Sequence, residues 1–334
     1  MMKVTVLGAG NWGTTLSIKL SFNKKEVALW GRQKEIDEIK TTGVNKTYLP
    51  GINVPSIIKV TADIEEALAF SPNLLIFAVP SKVLRAVAKK VGKIGLKSNI
   101  ILLSVVKGIE EGTLKRMSEI LAEEIKCDSS QICVLSGPTI ASEVIKGMPT
   151  TAVCASESKD TAEFIQTALM NMSFRIYTSQ DVIGVELGGA LKNVIAIASG
   201  VIDGLGLGAN SKGALIARGL AEITRLGLKM GADPLTFAGL SGIGDIVTTS
   251  ISGYSRNRFV GEQIGKGKKL DEILSSMVMV AEGVSTTKSA YELSKKYDVT
   301  MPITYEMYKV LFEGKSPKDA IASLMGREPK PEMY

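Results

Sequence analysis

The residue best placed to move a proton in this chain is a lysine inside an apolar segment. Lys192 lies in VIGVELGGALKNVIAIAS, residues 182–199. Read as a helix, that segment is apolar on nearly every face, so it is expected to be buried. A buried ammonium must be paired, must snorkel to the surface, or must lose basicity. A desolvated lysine near neutrality is a general acid/base. The 334 residues include no histidine. Imidazole-based dehydrogenase and hydrolase mechanisms are therefore excluded, as are zinc sites that need imidazole. Gly188-Gly189 one turn earlier removes side-chain bulk where a ligand or a second helix must come close, and Asn193 adds an amide.

A second cation, Lys107, follows an apolar strand-like run and precedes Gly108. It suits a substrate carbonyl or phosphate, with an exposed loop lysine as the alternative. Asp245 sits in a Gly-rich apolar turn. Orienting a lysine, holding a hydroxyl and capping a helix are all open to it. Ser255 reads as the N-cap of a helix beginning Arg256-Asn257-Arg258. First turns usually carry acids, whereas this one offers guanidinium and amide donors, which match a phosphate. Glu282, after another apolar run, reads as a helix cap or a surface acid.

Gly8-Ala9-Gly10-Asn11-Trp12-Gly13 places G-x-G-x-x-G where an N-terminal apolar strand, residues 3–7, meets helical spacing at 14–22. Gly8 allows the tight turn, Gly10 the approach of a pyrophosphate, and Gly13 the close packing of helix on sheet. The free N–H groups of the helix's first turn would face that anion. The second strand, 26–30, ends at Gly31-Arg32, where an NAD site usually carries an acid. A guanidinium suits a 2′-phosphate, so the cofactor reads as NADP ahead of NAD; stacking of Arg32 on adenine keeps NAD open.

These residues need elements to hold them. Residues 42–55 form a Gly/Pro-bearing loop at the rim of the cleft, and Asp63 caps a short helix. Buried strands at 73–79, 99–106, 131–135, 150–155 and 173–177, with an amphipathic helix at 82–91, predict a mostly parallel, doubly wound sheet. Its ligands belong beyond the carboxyl ends of the strands. That brings Val79-Pro80, Lys107 and Gly137-Pro138-Thr139 around one crevice. From about 180 onward the spacing turns helical, at 181–203, 211–230, 255–266, 270–276, 285–297 and 302–312. The expected organisation is a dinucleotide-binding domain, 1–179, then an all-helical substrate domain, 180–334, with the cleft between.

Composition agrees with a globular enzyme, at 45% hydrophobic and 22% charged residues. The net charge of +6 favours phosphorylated, acidic small molecules. No dense basic block is interleaved with aromatics, which argues against nucleic acid. Cys127, Cys133 and Cys154 lack C-x-x-C spacing, pointing to a reducing compartment and no structural zinc. No signal peptide is visible and no uninterrupted apolar run is long enough to span a bilayer, so the chain reads as cytoplasmic and not inserted in a membrane.

GAGNWG, LWGR, KG at 107–108, SGPT at 136–139, ELGGALKN at 186–193, GLGANSKGALIARGLAE at 206–222, GIGD at 242–245, SRNR at 255–258, AEG at 281–283 and MPIT at 301–304 occur in order. Together they resemble the bacterial-type NAD(P)-dependent glycerol-3-phosphate dehydrogenases across essentially the whole chain. ELGGALKN and GLGAN…ARGLAE are far more specific than the glycine fingerprint. The resemblance implies a Rossmann-type domain followed by a helical one. It implies reversible reduction of dihydroxyacetone phosphate to sn-glycerol 3-phosphate, a step feeding glycerophospholipid synthesis. Lys192 would be the proton donor and acceptor. Lys107, Gly137, Thr139, Asp245, Thr249, Ser255, Arg256 and Asn257 would bind the triose with it. Asn11, Trp12, Arg32, Lys107, Ala141, Arg256, Val280 and Glu282 would line the cofactor beside the Gly8–Gly10–Gly13 turn. A homodimer is implied and a metal is not. SVVKG at 104–108, where a Thr often precedes the Lys, Gly213, and Gly253-Tyr254 depart from the usual pattern without removing a functional side chain. A lysine-using ketopantoate-type reductase, which would prefer a carboxylate to a phosphate, is the other reading of the same pattern.

Overall fold

Runs of apolar, often β-branched residues bounded by Gly, Pro and Asn build one eight-stranded sheet. The computed structural model describes residues 1–329 and 331–332. The strands are β1 (Lys3–Leu7), β2 (Glu26–Trp30), β3 (Lys59–Thr61), β4 (Leu74–Phe77), β5 (Ile101–Ser104), β6 (Ile132–Ser136), β7 (Thr150–Ala155) and β8 (Phe174–Ser179). Their order is β3-β2-β1-β4-β5-β6-β7-β8. Among the described residues every pairing is parallel except β6 with β7, where Leu135 faces Cys154. All four residues of β4 are buried, as a strand covered on both faces requires. The helices interleaved with the strands are α1 (Asn11–Phe22), α2 (Gln33–Thr42), α3 (Ile64–Ala69), α4 (Ser81–Ile94), α5 (Met117–Ile125), α6 (Ala141–Ile145) and α7 (Lys159–Leu169). The predicted cap at Asp63 is present, its carboxylate accepting from the Glu65 N–H.

After β8 the chain is helical: α8 (Val182–Gly204), α9 (Ala209–Lys229), α10 (Pro234–Phe237), α11 (Asp245–Ile251), α12 (Arg256–Gly265), α13 (Leu270–Ser275), α14 (Glu282–Lys296), α15 (Pro302–Phe312) and α16 (Pro317–Met325). Helix α8 is the axis of this half, and α9, α11, α12, α14 and α15 pack around it. Its length and composition would suffice to cross a membrane, although Glu186 and Lys192 interrupt its apolar run. Its residues are mostly buried against protein instead, so it serves as a core helix. Glycines let α12 lie on α8 at backbone contact: a Cβ on Gly261 would fall 1.8 Å from the Ile197 carbonyl oxygen. That close approach fixes where the N-terminus of α12 points.

Two ends of elements moved relative to expectation. Helix α14 starts at Glu282, three residues earlier than its hydrophobic spacing suggested, and α1 starts at Asn11, within the glycine fingerprint. In both cases the helix opens on a single polar residue and has a glycine in its first turn, which breaks the apolar spacing there.

Candidate active site

The glycine turn divides its labour as the spacing predicted. Gly8 has φ +125°, and a Cβ there would lie 2.6 Å from the Ala78 carbonyl oxygen of the neighbouring strand's end. A Cβ on Gly13 would lie 1.9 Å from the Gly8 oxygen. Gly10, between them, has nothing within 4 Å of the position where a Cβ would stand. The turn is therefore packed tight at both ends and open in the middle, on the side where a ligand must come close to the backbone. Gly10 is the N-cap of α1 and offers no side-chain acceptor, and the first turn contains no acid. The Asn11 side-chain oxygen is buried without a partner. Trp12 packs edge-on against Phe174, ring centroids 6.3 Å apart. Asn45, from the 42–55 loop, buttresses the turn by donating to the Ala9 carbonyl at 2.8 Å and to Thr14 Oγ1 at 2.9 Å. Sequence reasoning placed that loop at the rim but did not single out Asn45. An asparagine in a Gly/Pro loop looks like any turn residue until its burial is known.

Past the carboxyl end of β5 lies a cluster of three charges. Lys192, only 7% exposed, donates to Asp245 Oδ1 at 2.7 Å and to Thr249 Oγ1 at 2.5 Å. Snorkelling is thereby ruled out. Lys107, just past β5, donates to the other oxygen of Asp245 at 2.6 Å and to the Gly137 carbonyl at 2.9 Å; Thr139 Oγ1 stands at 3.5 Å. Asp245 is the first residue of α11, behind a tight turn over Leu240–Gly244. Burial alone would raise its carboxyl pKa, but the two ammonium groups hold it below the ordinary carboxylate value. Burial lowers the Lys192 ammonium to about 8; Asp245 opposes that shift, while the positive charges of Lys107 and Arg256 add to it. An ammonium has three protons. Lys192 commits two to Asp245 and Thr249 and keeps the third for a ligand.

Gly188 and Gly189 serve protein packing rather than a ligand. A Cβ on Gly188 would lie 2.5 Å from the Ser241 carbonyl oxygen, and one on Gly189 would lie 2.4 Å from Ser136 Oγ. Their absence of side chains lets α8 sit against β6 and the 240–244 turn, which sets the spacing between Lys192 and Lys107.

Ser255 caps α12, accepting from the Arg258 N–H at 3.2 Å. Arg256, in the exposed first position of that helix, makes no hydrogen bond or ion pair among the described residues; Glu282 and Tyr48 are its electrostatic neighbours. Asn257 is placed differently from the expectation of a substrate amide. Its side chain is buried, donates to Asn193 Oδ1 at 2.8 Å and accepts from the Gly283 N–H at 2.9 Å. It thus ties α12 to α8 and α14. Glu282 reaches across to the first turn of α4, where it accepts from the Ser81 N–H at 3.1 Å and from the Ser81 hydroxyl. Val280 is 45% exposed on the segment before α14, and Ala141 opens α6. Arg32 stands at the N-terminus of α2, paired with Glu35 and bonded to Tyr48.

Lys107, Gly137, Thr139, Lys192, Asp245 and Thr249 are thus brought together past the carboxyl ends of β5 and β6, and the glycine turn follows the carboxyl end of β1 in the same sheet. Comparisons with known proteins show the family. The family model described as NAD-dependent glycerol-3-phosphate dehydrogenase N-terminus matches residues 3–162, and the one described as its C-terminus matches residues 181–322. A glycerol-3-phosphate dehydrogenase (NAD(P)+) of Bacillus pumilus is 50% identical over all of this chain and 96% of its own. One from a Thermoanaerobacter species is 49% identical over all of this chain and 99% of its own. The crystal structure of glycerol-3-phosphate dehydrogenase from Coxiella burnetii superposes with a TM-score of 0.93 at 33% identity, covering 98% of this chain and 99% of that one.

Proposed function

This chain belongs to the NAD-dependent glycerol-3-phosphate dehydrogenase family, and from that premise we propose that Lys192 is its proton donor when dihydroxyacetone phosphate is reduced to glycerol 3-phosphate. The chain is an NAD(P)-dependent oxidoreductase. The observation that carries the mechanism is the buried Lys192–Asp245–Lys107 cluster, with one Lys192 proton uncommitted.

The cradle fits the cofactor. Open space at Gly10, the uncapped start of α1 and the unpartnered Asn11 oxygen are what a pyrophosphate and its neighbours would occupy. The Gly8–Gly13 turn would hold the pyrophosphate and Arg32 the adenosine ribose, favouring NADP over NAD. Trp12, Lys107, Ala141, Arg256, Val280 and Glu282 would border the remainder. When bound, the reduced nicotinamide supplies a hydride to the carbonyl carbon.

The chain's own residues do the rest. Arg256, Ser255 and the N-terminal N–H groups of α12 receive the phosphate, at a helix end that presents positive charge. Gly137 and Thr139, close to Lys107, border the triose. As the carbonyl carbon gains a C–H bond, its oxygen gains negative charge. Lys192 Nζ stabilises that charge and releases its free proton to the oxygen, giving the alcohol. Asp245 and Thr249 hold Nζ in place throughout, and burial makes the neutral amine left behind an acceptable state. Solvent reprotonates the amine. In the reverse direction neutral Lys192 takes the hydroxyl proton. A homodimer in the cytoplasm belongs to the same proposal, on family resemblance.

The test is the fall in near-ultraviolet absorbance of NADH or NADPH when dihydroxyacetone phosphate is added to purified protein. We expect turnover that Arg256→Ala weakens chiefly through a raised KM. Equal turnover of an unphosphorylated carboxylate substrate would contradict the phosphate pocket and restore the ketopantoate-type reading.

A further inference from the structure

We propose that Glu35 sets the balance between NADP and NAD by restraining Arg32. This inference rests on Arg32 lying at the adenosine ribose, as argued above. The two side chains differ sharply in exposure: 72% for the arginine and 4% for the glutamate. Arg32 Nε donates to Glu35 Oε2 at 3.1 Å, and Nη2 donates to Glu35 Oε1. Nη2 also donates to the Tyr48 hydroxyl at 2.7 Å. Among the described residues Glu35 has no partner other than Arg32.

The consequence lies in the geometry of the guanidinium. A phosphate is held best by two parallel N–H groups on one edge of the fork. Here the Nε–Nη2 edge is occupied by a carboxylate, and Nη1 is left to meet a ligand. Arg32 can offer its Nε–Nη2 edge to a 2′-phosphate only by leaving Glu35, which would strand a buried charge without a partner, and its Nη1–Nη2 end is shared with the Tyr48 hydroxyl. Glu35 lies in the first turn of α2, where the helix end supports its charge but cannot replace a direct ion pair. The pocket therefore presents a near-neutral pair whose remaining N–H groups can meet a 2′-phosphate or a ribose hydroxyl, which narrows the preference for NADP without reversing it. Tyr48, from the rim loop, holds the same nitrogen and steadies the arrangement. Glu35 is a positioning residue that acts on the cofactor through Arg32.

The experiment compares Glu35→Gln with the wild-type chain, alone and in an Arg32→Ala background. Binding of NADPH and NADH is read by fluorescence titration, and kcat/KM is read for each. With Glu35 neutralised, we expect the NADPH-to-NADH ratio to rise roughly five- to tenfold, the scale of one charge pair at a partly exposed site. The rise should come through tighter NADPH binding with NADH little changed. In the Arg32→Ala background the same substitution should leave the ratio unchanged. An unaltered ratio in Glu35→Gln, while both cofactors still bind, would overturn the restraint but leave the cofactor site standing. An equal rise without Arg32 would overturn it too, by showing that Glu35 acts on the phosphate directly. Failure of the wild-type chain to bind either cofactor would overturn the site itself and the inference with it.

Discussion

At the level of single residues, the proposed mechanism turns on a carboxylate shared between two lysines. Asp245 raises the basicity of Lys192 against the burial that lowers it, and the balance leaves Lys192 at about 8. Reduction needs the protonated form, so its kcat/KM should be level below that pH and fall above it. The oxidation direction needs the neutral amine and should gain across the same range. Asp245→Asn removes the opposing charge while keeping the side chain's shape. Its alkaline limb for reduction should move to lower pH than in the wild-type enzyme. A limb that stays in place would mean that the titrating group is not the lysine paired with Asp245. Lys192 was legible in the sequence because a cation within an apolar helix is an anomaly of type. The opposite holds for Asn257 and Asn45, since short amides occur in every loop and helix start; only burial shows that both are structural ties.

At the scale of elements, helices in the second half are held by groups that come from a distance. Helix α15 starts with Pro302, and its next N–H groups, of Ile303 and Thr304, donate to Glu222 on α9 at 2.6 and 3.1 Å. Burial raises the Glu222 carboxyl to about 7 in spite of these donors. A carboxyl whose folded pKa lies above its unfolded one favours the folded state while protonated. Its contribution is thus largest in acid and declines as pH rises from the ordinary carboxylate range to about 7. Glu222→Gln should flatten that part of the stability-versus-pH curve in urea unfolding. Glu222→Ala should instead lower stability by roughly 1–3 kcal/mol at every pH, because two buried N–H groups lose their acceptor. A wild-type curve that rises steadily across the same interval would contradict the assignment. The sequence showed α9 and α15 by their apolar spacing, and MPIT marked a helix start. It could not show which acid caps that start, because Glu222 and Ile303 are far apart along the chain. Short elements such as β3 and α6 were missed for a related reason: three to five residues are too few for a period to register.

Across the whole molecule, the sheet half and the helical half are joined by buried polar ties rather than by apolar packing alone. Glu186 on α8 accepts from Arg116 at 2.7 Å and from the Ser118 N–H and hydroxyl at 2.8 and 2.6 Å, anchoring α8 to the start of α5. Glu282 on α14 holds the first turn of α4. These ties place Lys192, from one half, within reach of Lys107, from the other, with Asp245 between them. On the proposed mechanism the hydride's cradle would lie on the sheet half and the proton's source on the helical half, so that the site would exist only where the two meet. The G-x-G-x-x-G turn and the helical spacing disclosed each half separately. Their mutual placement followed from the ordered motifs as a resemblance, and no period within the chain encodes it. The claim that this placement is catalytic is tested most directly with Lys192→Met. The variant's reduction of dihydroxyacetone phosphate and its binding of NADPH would be measured beside those of the wild-type enzyme. We predict cofactor binding near normal and turnover reduced on the order of 10²–10⁴-fold, the weight of one acid/base group. Turnover close to that of the wild-type enzyme, with the cofactor bound, would contradict the account.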